Sequence, residues 1–273
     1  MAIATFDAAS SGARPPIWFA KAVSGTLVAG RPYSTWSLAG TPGAGAFDTT
    51  LNGVTVSSST SGALAKANPS SGNAYLLRLA AQMLQPGTLI LVDRIWHNGG
   101  YTITSTSAQN STTPTWPSRC PTSGSDDTPT TTGWGILLGV EVSAATGAGT
   151  PTITIGYTNQ AGTASRTATN LVATVASSIA GTFYPIGLQA GDSGVRSVQS
   201  LTLSATWTSG TMNLVAYRPL AAVTVAGTAL NGAVDWLTGG APRIYDSSCL
   251  SFLFIPSTTT TTTCQGEFVE THG

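Results

Sequence analysis

The segment Gly191-Asp192-Ser193-Gly194 contains the residue types that most directly suggest catalysis. The same four residues surround the nucleophile of one large class of serine proteases, and His97 and then Asp126-Asp127 precede it in the order that such a triad uses. Those proteases continue with Gly-Gly-Pro, whereas this chain continues with Val195-Arg196, and no cysteine comes just before the motif. Glycines that flank an Asp-Ser pair favour a tight turn, so we predict a turn and no catalytic residue here.

Metal and cofactor chemistry needs residue clusters that the sequence does not show. A lone histidine beside an aromatic, as at Trp96-His97, is more typical of a strand end than of a metal site. The Asp126-Asp127 pair could hold a hard cation with loop carbonyls, although adjacent acids in a Gly- and Thr-rich loop are usually solvated. Neither glycine-rich phosphate-binding pattern occurs between a predicted strand and helix. We therefore expect no cofactor and no metal.

Charge is scarce throughout the chain. Eleven basic and eleven acidic residues make up 8% of the 273 residues, whereas a soluble domain has about 25%. The formal net charge is zero, and 44 threonines and 30 serines supply neutral polar surface. Nucleic-acid binding needs a basic face, and no segment clusters Lys and Arg, so we exclude that class. A neutral surface lacks the repulsion that keeps monomers apart, so we expect a homo-oligomer, favouring a trimer over a dimer.

The chain start and the cysteines indicate where the protein folds. The first seven residues have neither the basic region nor the apolar region of a signal peptide, and the apolar runs are far shorter than the roughly 18 residues that span a bilayer. We therefore expect no membrane partner. Cys120, Cys249 and Cys264 are odd in number and widely spaced. This pattern predicts three free thiols in a reducing cytoplasm, with a Cys249–Cys264 disulfide as the alternative.

Sheets are the favoured secondary structure. β-Branched residues dominate, Lys occurs only twice, and short apolar or alternating segments are separated by Gly- and Asn-containing turns. The fold class predicted is mainly β: a β-sandwich of jelly-roll type with one or two short helices and extended N- and C-terminal arms. The predicted strands are 26–29, 54–57, 89–97, 101–106, 135–143, 152–158, 165–169, 182–188, 195–205, 212–225 and 249–255.

Two helices and one hairpin are also predicted. Leu76, Leu79 and Met83 recur at near-helical spacing before the Pro86-Gly87 turn, and a second short helix is predicted at 229–237. The glycines that follow residue 98 favour a hairpin in which the 101–106 strand pairs back on the strand before it.

The sequence divides into three parts. Residues 1–66 form an extended, irregular arm, residues 67–256 form the sandwich core with a long loop at 109–132, and residues 257–273 form a Thr-rich arm. Irregular segments with little charge cannot satisfy their own backbone groups, so we expect contacts between subunits there. The threonine run suits addition of a strand to a neighbouring sheet. The candidate contact residues are Trp18, Phe19, Trp36, Trp116, Thr258, Thr259, Thr260, Thr261, Thr262 and Thr263.

Four segments resemble a group of tailed-bacteriophage virion proteins that are usually encoded among head genes. They are Ala29-Gly30-Arg31-Pro32-Tyr33-Ser34, Asp93-Arg94-Ile95-Trp96-His97-Asn98, Gly191-Asp192-Ser193-Gly194-Val195-Arg196-Ser197-Val198-Gln199-Ser200 and Leu214-Val215-Ala216-Tyr217-Arg218. The resemblance implies a structural protein of the particle and brings no catalytic residues with it.

The function expected from this resemblance is non-enzymatic. We expect a capsid decoration or cement protein, made in the host cytoplasm, that stabilises the phage head from its exterior. Its partners would be the phage major capsid protein and copies of itself. A tail, baseplate or fibre component, or another shell subunit, is the structural alternative. A receptor- or glycan-binding module is the alternative from another class.

Overall fold

Strands dominate the fold. The computed structural model describes residues 3, 5–23 and 25–273. Strands account for 43% and helices for 4%, which confirms the expectation of a mainly β protein. The described helices are α1 (Phe6–Ser11) and α2 (Trp236–Gly239). Neither has the length and apolar character that a membrane crossing would need.

The described residues form seventeen strands, and every pairing between them is antiparallel. In chain order they are β1 (Ile17–Val23), β2 (Tyr33–Ser34), β3 (Gly40–Thr41), β4 (Val54–Thr55), β5 (Ala74–Met83), β6 (Gly87–His97), β7 (Gln109–Asn110), β8 (Leu137–Ala144), β9 (Ile153–Asn159), β10 (Arg166–Asn170), β11 (Phe183–Gly187), β12 (Val195–Leu203), β13 (Thr211–Val225), β14 (Leu230–Asp235), β15 (Arg243–Ile244), β16 (Leu250–Pro256) and β17 (Thr262–His272).

The smaller sheet joins the two ends of the chain. Its strand order is β14-β5-β17-β1-β3, and β15 also pairs with β5. The extended arms expected at 1–66 and 257–273 are therefore not observed for β1 and β17, which are neighbouring strands inside this sheet. The alternation of buried and exposed side chains along these strands explains why they are not free arms. Phe19 on β1 and Phe268 on β17 are both buried, and a free arm could not bury them.

The larger sheet has eleven strands in the order β2-β16-β6-β13-β8-β11-β10-β9-β12-β7, and β4 also pairs with β6. The long strands β6 and β13 lie next to each other near its middle. Register shifts interrupt their pairing between Ala216 and Tyr217 and between Pro219 and Ala221 of β13. Such bulges bend a strand and change the direction in which its side chains point. As a result, β6 and β13 each contribute to two apolar cores.

The two cores lie on either side of these bulges. The first is the interior of the sandwich between the smaller sheet and strands β16, β6 and β13, where the rings of Phe19 and Phe252 are 4.4 Å apart. The second fills the curled remainder of the larger sheet, where the rings of Trp96 and Trp116 are 5.7 Å apart. The fold is thus a β-sandwich of curled antiparallel sheets, in agreement with the predicted sandwich of jelly-roll type.

Both predicted helices are wrong for most of their length. The first is strand β5, in which Leu79 and Met83 are buried while Arg78 and Gln82 are exposed, the two-residue period of a strand. Residues 229–237 form mostly β14, with only the start of α2 at the end. Leucine-rich runs fit both periods, and β5 is hydrogen-bonded to neighbours on both sides, which outweighs a weak helix preference.

Two predicted strands, 26–29 and 101–106, are irregular, whereas the others lie within two residues of their expected bounds. The predicted hairpin is wrong because β6 has no free edge: β13 pairs along one edge, and β16 and β4 pair along the other. Tyr101 instead turns inward, where its hydroxyl accepts from Asn98 Nδ2 at 2.7 Å and lies 2.8 Å from Ser111 Oγ. This network closes the end of the second core.

All three cysteines are buried free thiols, as the sequence predicted. Cys264 lies in the sandwich core, while Cys249 packs in a small cluster with Trp36 and Val56. The alternative of a Cys249–Cys264 disulfide is therefore not observed.

Candidate functional site

The Gly-Asp-Ser-Gly motif forms the tight turn that its composition predicts. The Asp192 backbone N–H donates to the Gln189 carbonyl at 3.1 Å. The Asp192 carboxylate accepts hydrogen bonds from Asn159 Nδ2 at 2.7 Å and from Arg166 Nε at 2.9 Å. These bonds hold the turn between β11 and β12 against the β9–β10 hairpin, so Asp192 has a structural role.

The structure does not bring His97 to Ser193. The Nδ1 atom of His97 accepts from Arg94 Nε at 3.0 Å, whereas Ser193 Oγ accepts from Gln160 Nε2 at 3.3 Å. Burial, together with the positive charge of Arg94, lowers the pKa of His97 to about 2, so the imidazole is neutral at physiological pH. A general base must hydrogen-bond to the group that it deprotonates, and His97 is held elsewhere.

Arg94, which contacts His97, belongs to a cluster of buried charges. Arg94 Nη1 lies 2.7 Å from Glu141 Oε2, and Arg119 Nη1 lies 3.2 Å from Asp93 Oδ1. These four side chains are at most 3% exposed, in a chain with only 22 charged residues. Removing one member of a buried ion pair leaves a charge without compensation, so such pairs are expensive to break. The cluster therefore fixes the elements that contribute to it.

Arg119 ties the long loop to the rest of the chain. Its guanidinium donates to the carbonyl of Val56 and to that of Ser247, each at 2.6 Å. On the other side of the ion pair, the Asp93 carboxylate accepts from Ser248 Oγ at 2.7 Å. The predicted contact loop 109–132 is thus bound to its own chain at this point.

Three of the four aromatic contact candidates are buried. Phe19, Trp36 and Trp116 are at most 2% exposed, and Trp116 Nε1 donates to the Val195 carbonyl at 2.7 Å. Trp36 lies under Arg94 with the guanidinium carbon 4.5 Å from its ring centroid. The expectation that these three side chains meet a neighbouring subunit is therefore corrected, because they fill cores of their own chain. Trp18 is 66% exposed and remains a candidate.

The threonine run is divided between the sheet and the surface. Thr262 and Thr263 begin β17, and Thr262 Oγ1 accepts from the Gln85 backbone N–H at 3.0 Å. Residues 259–261 are exposed, and Thr258 is half-buried. Four of the six threonines are thus exposed, and residues 259–261 lie in the connection that precedes β17.

Two exposed leucines lie at the same end of the smaller sheet as these threonines. The Leu84 backbone N–H donates to the Thr263 carbonyl at 3.4 Å, and Leu230 pairs with Met83 across the sheet. Leu84 is 52% exposed and Leu230 is 54% exposed. We call Leu84, Leu230 and residues 258–261 the threonine tip. None of its side chains is charged, so another protein can cover it without burying an unpaired charge.

Sequence reasoning missed both leucines of the threonine tip because it placed them in helices. The detectable signal for Leu84 is its position two residues before the Pro86-Gly87 turn, where a strand ends and a side chain is left at the end of the sheet. Leu230 carries no comparable signal, since its exposure depends on the pairing of β14 with β5.

Exposed apolar side chains are concentrated at the smaller sheet. Of the eight large apolar side chains that are exposed among the described residues, five lie on this sheet or on the segments that adjoin it: Phe6, Trp18, Leu84, Leu230 and Leu237. The ring of Phe6 stacks on that of Trp236, with centroids 6.4 Å apart. Exposed apolar patches mark sites of interaction, so the smaller sheet is the candidate functional surface.

The acidic pair is not arranged as a cation site. Asp126 Oδ1 accepts from the Thr128 backbone N–H at 3.0 Å, whereas Asp127 Oδ1 lies 3.7 Å from Arg243 Nη1. Within residues 5–23 and 25–273, no three His, Cys, Asp or Glu side chains are grouped to hold a metal ion.

Comparison with known proteins yields only weak similarities. No protein-family model and no curated protein matches the chain. The VP2 subviral particle of infectious bursal disease virus is similar with a TM-score of 0.18 and 7% identity, over 96% of this chain and 81% of that chain. The Gx strain of the same virus is similar with a TM-score of 0.11 and 11% identity, over 94% of this chain and 41% of that chain. Similarities this weak carry no argument about fold or function.

Proposed function

We propose that this chain is a non-enzymatic structural protein of a tailed-phage virion, a capsid decoration or cement protein that binds the exterior of the head. The observation that carries the proposal is the threonine tip, an uncharged and partly apolar surface at one end of the smaller sheet. The four sequence segments that resemble phage head proteins support the same role.

The threonine tip suits attachment because the chain is anchored on both sides of residues 258–261. These residues lie in the short connection between β16 and β17, and β17 is hydrogen-bonded to β5 and β1, so both ends of the connection are held before binding. A contact that is repeated by the symmetry of a shell stabilises every subunit that it touches. Since the threonine tip has no charged side chain, attachment would depend on apolar burial and would persist at high ionic strength.

Self-association belongs to the same proposal. A net charge of zero gives little repulsion between copies, and the exposed apolar side chains at the smaller sheet offer area to bury. We expect a trimer of the free protein. Sedimentation or light scattering at micromolar concentration measures this directly, and a monodisperse monomer would contradict it.

The copy number in purified particles tests the role. We expect many copies per head by quantitative mass spectrometry against the major capsid protein, with density on the outer surface in a cryo-EM map. If only a few copies were found and they lay at the tail, the protein would instead be a tail, baseplate or fibre component. Absence from the particle would overturn a virion role altogether.

A further inference from the structure

The outward face of the smaller sheet is a groove of about 780 Å³. Four adjacent strands form it, in the order β14, β5, β17 and β1. Neighbouring strands lie about 4.8 Å apart, so the face is about 14 Å wide. This volume falls within the roughly 300–1,000 Å³ of small-molecule sites.

Two rows of side chains cross the groove. In the first, Trp18 pairs with Glu267, which pairs with Ala80, which in turn pairs with Ala233. The alanines are short, so the Trp18 ring stands above the row at one side. Trp18 is 66% exposed, more than any other tryptophan of the chain.

The second row is built from amides. Ala20 pairs with Gln265, Gln265 with Gln82, and Gln82 with Asn231. Gln265 Nε2 donates to Gln82 Oε1 at 2.9 Å, which orients both side chains. The Gln82 amide nitrogen and the Gln265 amide oxygen are left to face solvent, one as a donor and the other as an acceptor.

The charges in the groove cancel. Arg78 Nη1 lies 2.8 Å from Glu267 Oε1, and the two side chains are 51% and 19% exposed. Because the pair is internally compensated, the groove has no net field that would select a strongly charged polymer.

We propose that this groove binds a neutral oligosaccharide. An exposed indole packs against the apolar C–H face of a sugar ring, and oriented amides supply the paired donor and acceptor that vicinal hydroxyls require. The 14 Å width accommodates a short run of sugar rings across the strands. A peptide adding to the sheet would need a free strand edge, whereas this face presents side chains. The site would give the protein a glycan-binding activity separate from attachment through the threonine tip.

Binding by the soluble, full-length protein tests the proposal. The probes are hexasaccharides of glucose, mannose, galactose and N-acetylglucosamine, titrated by calorimetry. We expect at least one to bind and to protect tryptophan fluorescence from acrylamide quenching. Trp18→Ala should weaken binding about tenfold or more, and Gln82→Ala should weaken it without changing the quenching of the free protein.

The matched control is Leu171→Ala, which removes a 70% exposed apolar side chain away from the smaller sheet. It should bind the same probe as tightly as the native chain does. If no hexasaccharide binds, or if Trp18→Ala binds unchanged while its melting temperature also stays unchanged, the proposal is overturned. If Trp18→Ala instead dissociates the free oligomer, the groove is a contact between copies and not a sugar site. None of these three outcomes depends on whether the protein is found on the phage head, so they test the sugar site separately from the proposed function.

Discussion

Arg119 and Asp93 lie 3.2 Å apart in the interior, although one belongs to a long irregular loop and the other to the central strand β6. Irregular segments lack the regular hydrogen bonds of a sheet, and here one guanidinium replaces several of them by bonding to two carbonyls as well as to the carboxylate. The pair explains how a chain so poor in charge uses its few charged residues. They fix loops to the sheet.

Replacing Arg119 with methionine should destabilise the protein severely. The change keeps an apolar stem of similar length but leaves the Asp93 carboxylate buried without its cation. We expect the free energy of unfolding to fall by about 3–5 kcal/mol in urea denaturation. The control is Arg78→Met, whose ion pair with Glu267 is half exposed and whose loss should cost less than about 1 kcal/mol. Equal losses for the two variants would contradict this role of the buried pair.

His97 should make the protein less stable as the pH falls. The pKa of His97 is about 2 in the folded chain and near 6.5 when unfolded, so between these values only the unfolded state binds the proton. The stability from neutral His97 is therefore complete above pH 6.5 and is lost progressively below it. We expect a loss of about 2 kcal/mol between pH 7 and pH 5, measured as the difference from His97→Gln. Parallel pH profiles for the two proteins would refute it.

Deleting residues 257–273 should unfold the smaller sheet. The sequence alone predicted an extended Thr-rich arm here, but β17 is paired along both edges, with β1 and β5. Its removal would separate those strands and expose the sandwich core around Phe268. We expect loss of the cooperative thermal transition and rapid proteolysis. Replacing residues 259–261 with serine should leave the transition intact, and a folded deletion variant would show that β17 is not required.

The threonine tip should be needed for attachment and not for folding. Leu84→Asp places a charge in an exposed apolar contact, so we expect at least a tenfold loss of binding to particles that lack the protein. Its melting temperature should stay close to that of the native chain, since Leu84 is 52% exposed. Leu171→Asp is the matched control and should bind normally. If both variants bound the particles equally well, the attachment surface would lie outside the threonine tip.

Sequence patterns alone were sufficient to predict the positions of most strands in the larger sheet. Strand β9 alternates in burial along its whole length and is bounded by turn residues, so its limits follow from local chemistry. The turn at Gly191-Asp192-Ser193-Gly194 was predictable for the same reason. Low charge is likewise a property of composition, and no fold is needed to recognise it.

Tertiary structure decided the smaller sheet and the surface that it presents. Trp18 and Phe19 are adjacent aromatics, and alternation requires only that one face inward and the other outward. Which of them is buried depends on the register of β1 with β17, a contact between residues about 250 positions apart. The same long-range pairing turned an apparent helix into β5 and an apparent arm into β17. Local sequence could not specify these outcomes, because the hydrogen bonds that select them come from the opposite end of the chain.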